Sequence, residues 1–443
     1  MADITTKVDR NFKPKIKDQP KKLKSYKLDN AATIYSLIST NKHPSLFRLS
    51  CSLKQPINIP DLQTALIRIM IRFPYFDVNL KKGFFWAYWE KNRNDPKIVA
   101  ETKYPCQKLQ IYSRGVFPFR VKVHFNRIAI EIHHSLTDGT GALIFLKALI
   151  AEYLYIRGIT PKDWGNIFRP NQEPNPEELE YAYKRNSKEK LPFPKTQGTA
   201  FRPPLTCERR KKYHVTTGVV SLKEILKISR ENKVTITELL ATIYIDALQT
   251  ILYNLPEKRR KQFMKPIRLA IPVNLRNLYP SKTMRNFSFM IAPELNPKLG
   301  RYSFKEILKL VHHSIGKEVA TKTITQSISR NVKGQTFPLM RIIPLSLKRL
   351  IGGFLYKNIG ERLYSGKLSN IGRITMPEEF ENEIDNFDFL LAPSTIINTG
   401  CSVTSFKDQL NITFGRTVKE DEVEKYFFQK LTELGIHVKI QTN

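Results

Sequence analysis

The sequence is poor in cysteine, in acidic residues and in long apolar runs. Only four cysteines, none in a CxxC pair, occur among 443 residues. This argues against a disulfide framework or a zinc site and favours a reducing compartment. The most apolar stretch, 142–154, contains Lys147 and is shorter than the about 20 residues that cross a bilayer. Because residues 1–10 are polar, no signal peptide is predicted; we expect a cytoplasmic protein, soluble or peripheral at the inner membrane face.

The shortage of acids leaves the chain strongly basic. The 73 Lys and Arg residues against 40 Asp and Glu residues give a net charge of +33. Such a field attracts an anionic partner, whether nucleic acid, an acidic membrane, a phosphorylated cofactor or an acidic carrier protein. An equally good explanation of the high net charge is that it only keeps the chain soluble. No aromatic interleaving or nucleic-acid module accompanies the basic segments, so we do not expect a nucleic-acid partner.

The first half of the sequence changes from strand to helix periodicity twice. Alternation over 47–53 predicts a strand, and apolar spacing over 62–73 predicts the helix after it. A predicted hairpin over 121–133, turning at Asn126 and Arg127, is followed by a helical pattern over 142–150. Basic residues up to about Leu28 indicate a tethered arm.

A proline-rich stretch over 161–204 lacks periodicity and predicts a crossover linker. We place the boundary near Phe201, so that an N-terminal lobe covers 1–200 and a C-terminal lobe covers 201–443. The second lobe has predicted strands near 213–220 and 267–273, a hairpin over 402–414 and a final helix before Gly435. The fold class is therefore α/β, with a mixed sheet flanked by helices in each lobe.

The run from His133 to Gly139 reads HHSLTDG and lies where a predicted strand passes into a helix. Alternation places His134 on the apolar face of that strand and His133 with Glu131 on the other. An imidazole with a pKa of about 6.5 accepts and returns a proton at neutral pH, which suits a general base. Adjacent strand side chains diverge, so no metal site is predicted here. The local pattern leaves open a core histidine followed by a helix-capping Asp138.

These residues resemble the HHxxxDG motif of the chloramphenicol acetyltransferase-like superfamily, which includes condensation domains of peptide synthetases and alcohol acetyltransferases. Further similarity to the bacterial alcohol acetyltransferase-like branch lies in six other segments. They are Phe47-Arg48-Leu49, Pro74-Tyr75-Phe76, Gly83-Phe84-Phe85-Trp86, Pro272-Val273-Asn274-Leu275-Arg276, Arg285-Asn286-Phe287 and Ser369-Asn370-Ile371-Gly372. The resemblance runs from about Leu28 to the C-terminus and implies two α/β lobes with an active-site tunnel between them.

The resemblance also implies roles for individual residues. His134 and Asp138 are the predicted catalytic residues, with His134 as the base and Asp138 as the structural aspartate of the motif. Arg276 is the expected partner of Asp138, and His133 and Gly139 are expected to orient the site. Asn370 and Ser369 are candidates for contacts with the substrate or the oxyanion. Acyl-CoA, acetyl-CoA in particular, is the implied co-substrate, with no acyl-enzyme.

Two segments do not match the motifs of the superfamily. The DFGWG motif of the plant branch is absent, and Phe414-Gly415-Arg416 is only a loose equivalent. His312-His313-Ser314 lacks the aspartate and glycine, so we predict a helix surface there.

The sequence therefore predicts acyl transfer to the hydroxyl, or less readily the amine, of a small-molecule acceptor. There are two alternatives. One is a condensation-type enzyme whose acyl donor is bound to a carrier protein, and the other is a catalytically silent protein that binds an anionic partner. The basic amphipathic stretch 337–364 is either a core helix of the second lobe or a segment that lies on an anionic membrane and brings a lipid acceptor.

Overall fold

The computed structural model describes residues 25–186, 198–209, 212–320, 322–326, 328–329, 342–355 and 360–443. The helices are α1 Asn30–Ile38, α2 Ile59–Arg72, α3 Gly139–Ile156, α4 Ala182–Arg185, α5 Leu222–Glu231, α6 Ile236–Asn254, α7 Glu257–Phe263, α8 Phe304–Val319, α9 Leu345–Leu355, α10 Glu378–Glu381 and α11 Glu422–Glu433. Residues 1–24 of the predicted arm, part of the predicted linker, and 337–341 and 356–359 of the basic amphipathic stretch lie outside the described residues. The last residues of the predicted arm are not a free tether, because 25–27 form a strand that pairs with 88–90.

The strands are β1 Ser25–Lys27, β2 Leu46–Leu53, β3 Val78–Lys82, β4 Ala87–Lys91, β5 Ile98–Ala100, β6 Phe119–His124, β7 Arg127–His133, β8 His214–Ser221, β9 Ile267–Asn274, β10 Ser288–Ile291, β11 Glu294–Leu295, β12 Gly366–Ile374, β13 Ile384–Leu391, β14 Thr399–Phe406, β15 Gln409–Arg416 and β16 Lys439–Thr442.

Two large mixed sheets, one in each lobe, confirm the predicted α/β class. The first has the order β13-β2-β7-β6-β5, and the second has the order β10-β9-β12-β14-β15-β8-β16 with β11 beside β9. A small sheet, β1-β4-β3, adjoins the first lobe. The apolar side chains of α2 and α3 pack on the first sheet and those of α6 and α11 on the second, which gives each lobe its own core.

The segments that show a clear change of period form the predicted elements. β2 and α2 follow the alternation and the helical spacing, and Asn58 caps α2 by accepting a hydrogen bond from the Asp61 amide. β14 and β15 form the hairpin predicted over 402–414, and Lys407 in its turn has a positive φ of 52°. Thr235 and Glu238 form a capping box at the start of α6.

One strand crosses the boundary that we predict near Phe201. β13 belongs to the C-terminal half, yet it pairs antiparallel with β2 of the first sheet, with Phe387 opposite Cys51. Ser402 Oγ and Asn411 Nδ2 donate to carbonyls of β13, at 2.7 and 2.8 Å. The segment 201–443 therefore supplies an edge strand to the N-terminal sheet and ties the two lobes together.

Two helices, α3 and α6, are long and apolar enough to span a membrane by length and composition. In each of them most of the apolar window is buried inside the protein. They are the central helices of the two lobes, packed against the sheets.

Candidate active site

The HHSLTDG segment is fixed at the point where β7 ends. The backbone amide of His133 donates to the carbonyl of Pro118, and the amide of His134 donates to the carbonyl of Ser45, both at 2.8 Å. The amide of Leu136 donates to the carbonyl of His133 and closes a turn. His134 therefore lies in this turn, one residue beyond the strand on whose apolar face the alternation placed it.

The imidazole of His134 packs against two aromatic rings. The Tyr35 ring is stacked on it with a centroid separation of 4.6 Å, and the Phe47 ring lies at 4.5 Å. Its Nδ1 is buried and has no hydrogen-bond partner among the described residues. Burial lowers the pKa of His134 to about 4, against the opposing effect of Asp138. The ring is therefore neutral at physiological pH, the form that can accept a proton.

His133 has a different environment from its neighbour. It is fully buried, and its Nδ1 accepts a hydrogen bond from the Ser135 amide at 3.2 Å and lies 2.7 Å from Ser135 Oγ. Burial lowers the pKa of His133 to about 3. The side chain is a neutral core group that holds the turn on which His134 is displayed.

The carboxylate of Asp138 is bonded from both lobes. Its Oδ1 accepts from the amide of Gly141 at 3.2 Å and so caps α3. Its Oδ2 accepts from Arg276 Nη1 and from the amide of Phe287, both at 2.8 Å. The structure thus brings together Asp138 and its expected partner Arg276, and it also gives Asp138 the helix-capping position that the local pattern indicated.

Arg276 fixes the loop that follows β9. Its Nε and Nη2 donate to the carbonyl of Thr283 at 3.0 and 2.9 Å, and Nη2 also donates to the carbonyl of Arg285 at 2.6 Å. Asn286 in the same loop donates from Nδ2 to the carbonyl of His134 at 2.8 Å. The ion pair therefore connects the motif in the first lobe to a loop of the second, and that loop holds the backbone of His134.

Gly139 and Gly141 differ in how much space the structure leaves for a side chain. A Cβ at Gly141 would lie 2.1 Å from Thr137 Oγ1 and 2.8 Å from the Met284 carbonyl. Thr137 Oγ1 donates to that carbonyl at 2.6 Å, so neither atom is free to move away. At Gly139, the residue of the motif, a Cβ would lie 3.3 Å from Ile371 Cγ2. The tighter packing constraint is therefore at Gly141.

Asn370 and Ser369 lie on β12. Asn370 Nδ2 donates to Thr237 Oγ1 at 3.1 Å, and its Oδ1 accepts from the amide of Gly372 at 2.8 Å. These bonds hold an irregularity in β12 that carries Ile371 to Gly139. Within the described part of the chain no hydrogen bond joins Asn370 or Ser369 to His134, so the geometry does not bring these two candidates onto the imidazole.

Several residues near the site were not predicted from the sequence. Tyr35 comes from α1, a helix shorter than three full turns whose only sequence signal is its N-cap, Asp29. Glu361 is buried and forms an ion pair with Lys367, and its Oε1 lies 3.5 Å from His43 Nδ1. Burial opposes the ionisation of Glu361, but Lys367 above all, with the His43 ring, holds its pKa at about 2. His43 and Lys367 also lower the pKa of His134, and no local pattern indicates this charged group.

The second His-His pair lies where the sequence predicted it. His312 and His313 are exposed on α8, and His312 Nδ1 lies 3.1 Å from Glu238 Oε1. The pair is a feature of the helix surface.

Comparisons by sequence gave no match: no family model matches the chain, and neither does any curated protein. Solved structures resemble it in fold. TRI101 of F. sporotrichioides, complexed with coenzyme A and T-2, has a TM-score of 0.61 at 11% identity, covering 94% of this chain and 99% of that one. TRI3 trichothecene 15-O-acetyltransferase from Fusarium sporotrichioides has a TM-score of 0.58 at 13% identity, with coverage of 92% and 93%.

A third structure comes from a peptide synthetase. The epimerization domain from the third module of tyrocidine synthetase B has a TM-score of 0.59 at 10% identity, and the match covers 93% of this chain and 95% of the domain. All three similarities extend over both lobes. The chain therefore has the two-lobed fold of the chloramphenicol acetyltransferase-like superfamily, as the HHxxxDG resemblance implied.

Proposed function

We propose that the protein is a CoA-dependent acyltransferase that moves an acyl group, such as acetyl, from a thioester to a hydroxyl of a small acceptor. The observation that carries the proposal is the environment of His134. Its imidazole is neutral, packed against Tyr35 and Phe47, and displayed on a turn that both lobes hold. A ring fixed in this way serves as a positioned general base.

The chemistry proceeds by direct transfer between the two substrates. The imidazole of His134 takes the proton from the acceptor hydroxyl as its oxygen attacks the thioester carbonyl carbon. The C–S bond then breaks, and the imidazolium returns the proton to the departing thiolate. An ester and a free thiol result, and the enzyme carries no covalent intermediate. In this scheme the Tyr35 and Phe47 rings that pack against His134 limit the access of water to the base, which disfavours hydrolysis of the thioester.

Asp138 acts through position in this scheme. Its two oxygens are occupied by Gly141, Arg276 and Phe287, so the carboxylate holds the turn and the facing loop at a fixed separation. His133 supports the same turn from the core side. Asn370 and Ser369 remain candidates for substrate contacts from β12.

Two kinds of support favour acyl-CoA as the donor. The TRI101 structure of the same fold holds coenzyme A. The net charge of +33 attracts the phosphates of CoA over long range. The same charge and the likeness to a peptide synthetase domain favour one alternative donor, an acyl group on an acidic carrier protein.

The test is thiol release from acetyl-CoA and longer acyl-CoAs against a panel of alcohols and amines. We expect acceptor-dependent release, and a loss of about 10²–10⁴-fold in His134→Ala. His313→Ala is the matched control, because it removes an exposed histidine that also follows a histidine. Full activity of His134→Ala would refute the proposal. No release from any free thioester, with transfer from an acylated carrier protein, would establish the alternative donor.

A further inference from the structure

The helix α9 presents an apolar stripe to solvent. Leu347, Leu350 and Ile351 follow helical spacing and are 45%, 73% and 39% exposed. The opposite side of the helix carries Leu345 and Lys348, which are both buried. The helix therefore packs by one face only, and its apolar stripe has no partner among the described residues.

The loop between β3 and β4 extends this stripe. Phe84 and Phe85 are 73% and 40% exposed. The amide of Leu345 donates to the carbonyl of Phe84 at 2.9 Å, and Lys348 Nζ donates to the carbonyl of Phe85 at 2.8 Å. The loop and the helix are thus bonded to each other and form one continuous surface. We call this surface the apolar patch; it consists of Phe84, Phe85, Ile342, Leu347, Leu350 and Ile351.

The surroundings of the apolar patch are basic. Lys82 and Arg349 both lie over the ring of Tyr112, at 5.3 and 4.8 Å from its centroid, and mark one edge of the patch. The sequence contains no Asp or Glu over 319–360 or over 79–89. An apolar surface with cations at its edge matches the boundary between the headgroups and acyl chains of an anionic membrane. A second copy of this chain would instead bring like charges together.

The apolar patch is one helix away from the candidate active site. α9 packs against α1, where a Cβ at Gly352 would lie 3.6 Å from Leu37 Cβ. Tyr112 donates from its hydroxyl to the carbonyl of Ser36 at 3.1 Å, and Tyr35 of the same helix stacks on His134. A membrane held by the patch would therefore lie on the side from which α1 covers the imidazole.

We propose that the apolar patch docks the protein on an anionic lipid membrane. Phe84, Leu350 and their neighbours enter the interfacial layer, while Lys82 and Arg349 meet the acidic headgroups. This docking does not depend on the proposed function. Under that function it would give the site access to a lipid-borne hydroxyl.

The experiment is co-sedimentation of the full-length protein with vesicles of equal parts phosphatidylcholine and phosphatidylserine. The double variant Phe84→Ser with Leu350→Ser leaves the net charge unchanged. The control pair, Phe125→Ser with Leu299→Ser, removes equally exposed apolar groups, 71% and 78%, elsewhere on the surface. We expect the bound fraction of the patch variant to fall about tenfold and that of the control pair to match the wild type.

Three results would overturn the proposal. One is no sedimentation of the wild-type protein. Another is equal binding by wild type and patch variant, which would assign the binding to the net charge alone. The last is a wild-type dimer in velocity sedimentation that the patch variant loses, which would make the patch an interface between copies of the chain.

Discussion

Replacing Arg276 by glutamine should weaken the connection between the two lobes. The guanidinium is 11% exposed and bonds to Asp138 and to the carbonyls of Thr283 and Arg285. Glutamine cannot reach all of these acceptors, and it leaves the buried carboxylate without its cation. Breaking a buried ion pair from one side costs about 3–5 kcal/mol. Asp138 keeps two backbone amide donors, so we expect a loss of about 3 kcal/mol, at the lower end of that range.

The loss is measured as a shift in urea denaturation. With a slope of about 3 kcal/mol per molar urea, a loss of about 3 kcal/mol lowers the unfolding midpoint by about 1 M. Arg276→Lys keeps the charge but presents a single ammonium, and it should lie between Arg276→Gln and the wild type. The loop that Arg276 holds also fixes the His134 carbonyl through Asn286, so we expect kcat of Arg276→Gln to fall up to about 10²-fold.

The double variant Asp138→Asn with Arg276→Gln decides whether the pair is the cause. Because neither variant residue carries a buried charge, the double variant should cost about 1–3 kcal/mol less than the sum of the single variants. Strictly additive losses would refute an energetic coupling between the two side chains. If Arg276→Gln unfolded at the same urea concentration as the wild type, the inference that the Arg276–Asp138 pair stabilises the fold would be wrong.

Three further changes test other parts of the site and core. Gly141→Ala puts a Cβ against Thr137 Oγ1 and the Met284 carbonyl and should cost about 1–3 kcal/mol in urea denaturation; an unchanged midpoint would contradict the fit. With a His134 pKa of about 4, kcat/KM should be constant from about pH 8 to about pH 5.5 and fall only as the pH approaches 4, because the ring then protonates. A fall of kcat/KM to half its plateau near pH 6.5 would instead show that the pKa of the imidazole is unperturbed. Glu131→Gln removes the charge of a fully buried carboxylate that faces three cations, so it should lower the free energy of unfolding by about 3–5 kcal/mol and leave kcat of the folded fraction unchanged. A urea midpoint equal to that of the wild type would show that the carboxylate does not stabilise the three buried cations.

The strand, turn and helix that carry the HHSLTDG segment could be predicted because each is specified locally. Alternating isoleucines set β7, Asp138 supplies the cap of α3, and the change from period two to helical period marks the turn between them. The pairing of Asp138 with Arg276 has no such local signal. Its anticipation came from the family resemblance, since the two residues are 138 positions apart.

The elements that were missed depend on contacts between distant segments. The alternation in β7 indicated a face, with Glu131 and His133, opposite the isoleucines, but in the structure both faces are buried. Arg48, Arg120 and Lys122 neutralise Glu131 there, and a carboxylate paired in this way has the same sequence pattern as an exposed one. Likewise β13 joins β2 across more than 300 residues, a pairing that a strand's own pattern does not specify.

The three hydrogen bonds that Asp138 accepts limit what the aspartate can do. A carboxylate that orients a catalytic histidine directly, as in hydrolase triads, accepts a hydrogen bond from the imidazole. In this protein Oδ1 accepts from Gly141, and Oδ2 accepts from Arg276 and Phe287, while His134 Nδ1 has no partner among the described residues. Asp138 therefore influences the ring through its charge and through the loop it anchors. Its neutral variant Asp138→Asn should lower kcat and the unfolding midpoint together, and a loss of activity at an unchanged midpoint would show that the carboxylate acts on the chemistry itself.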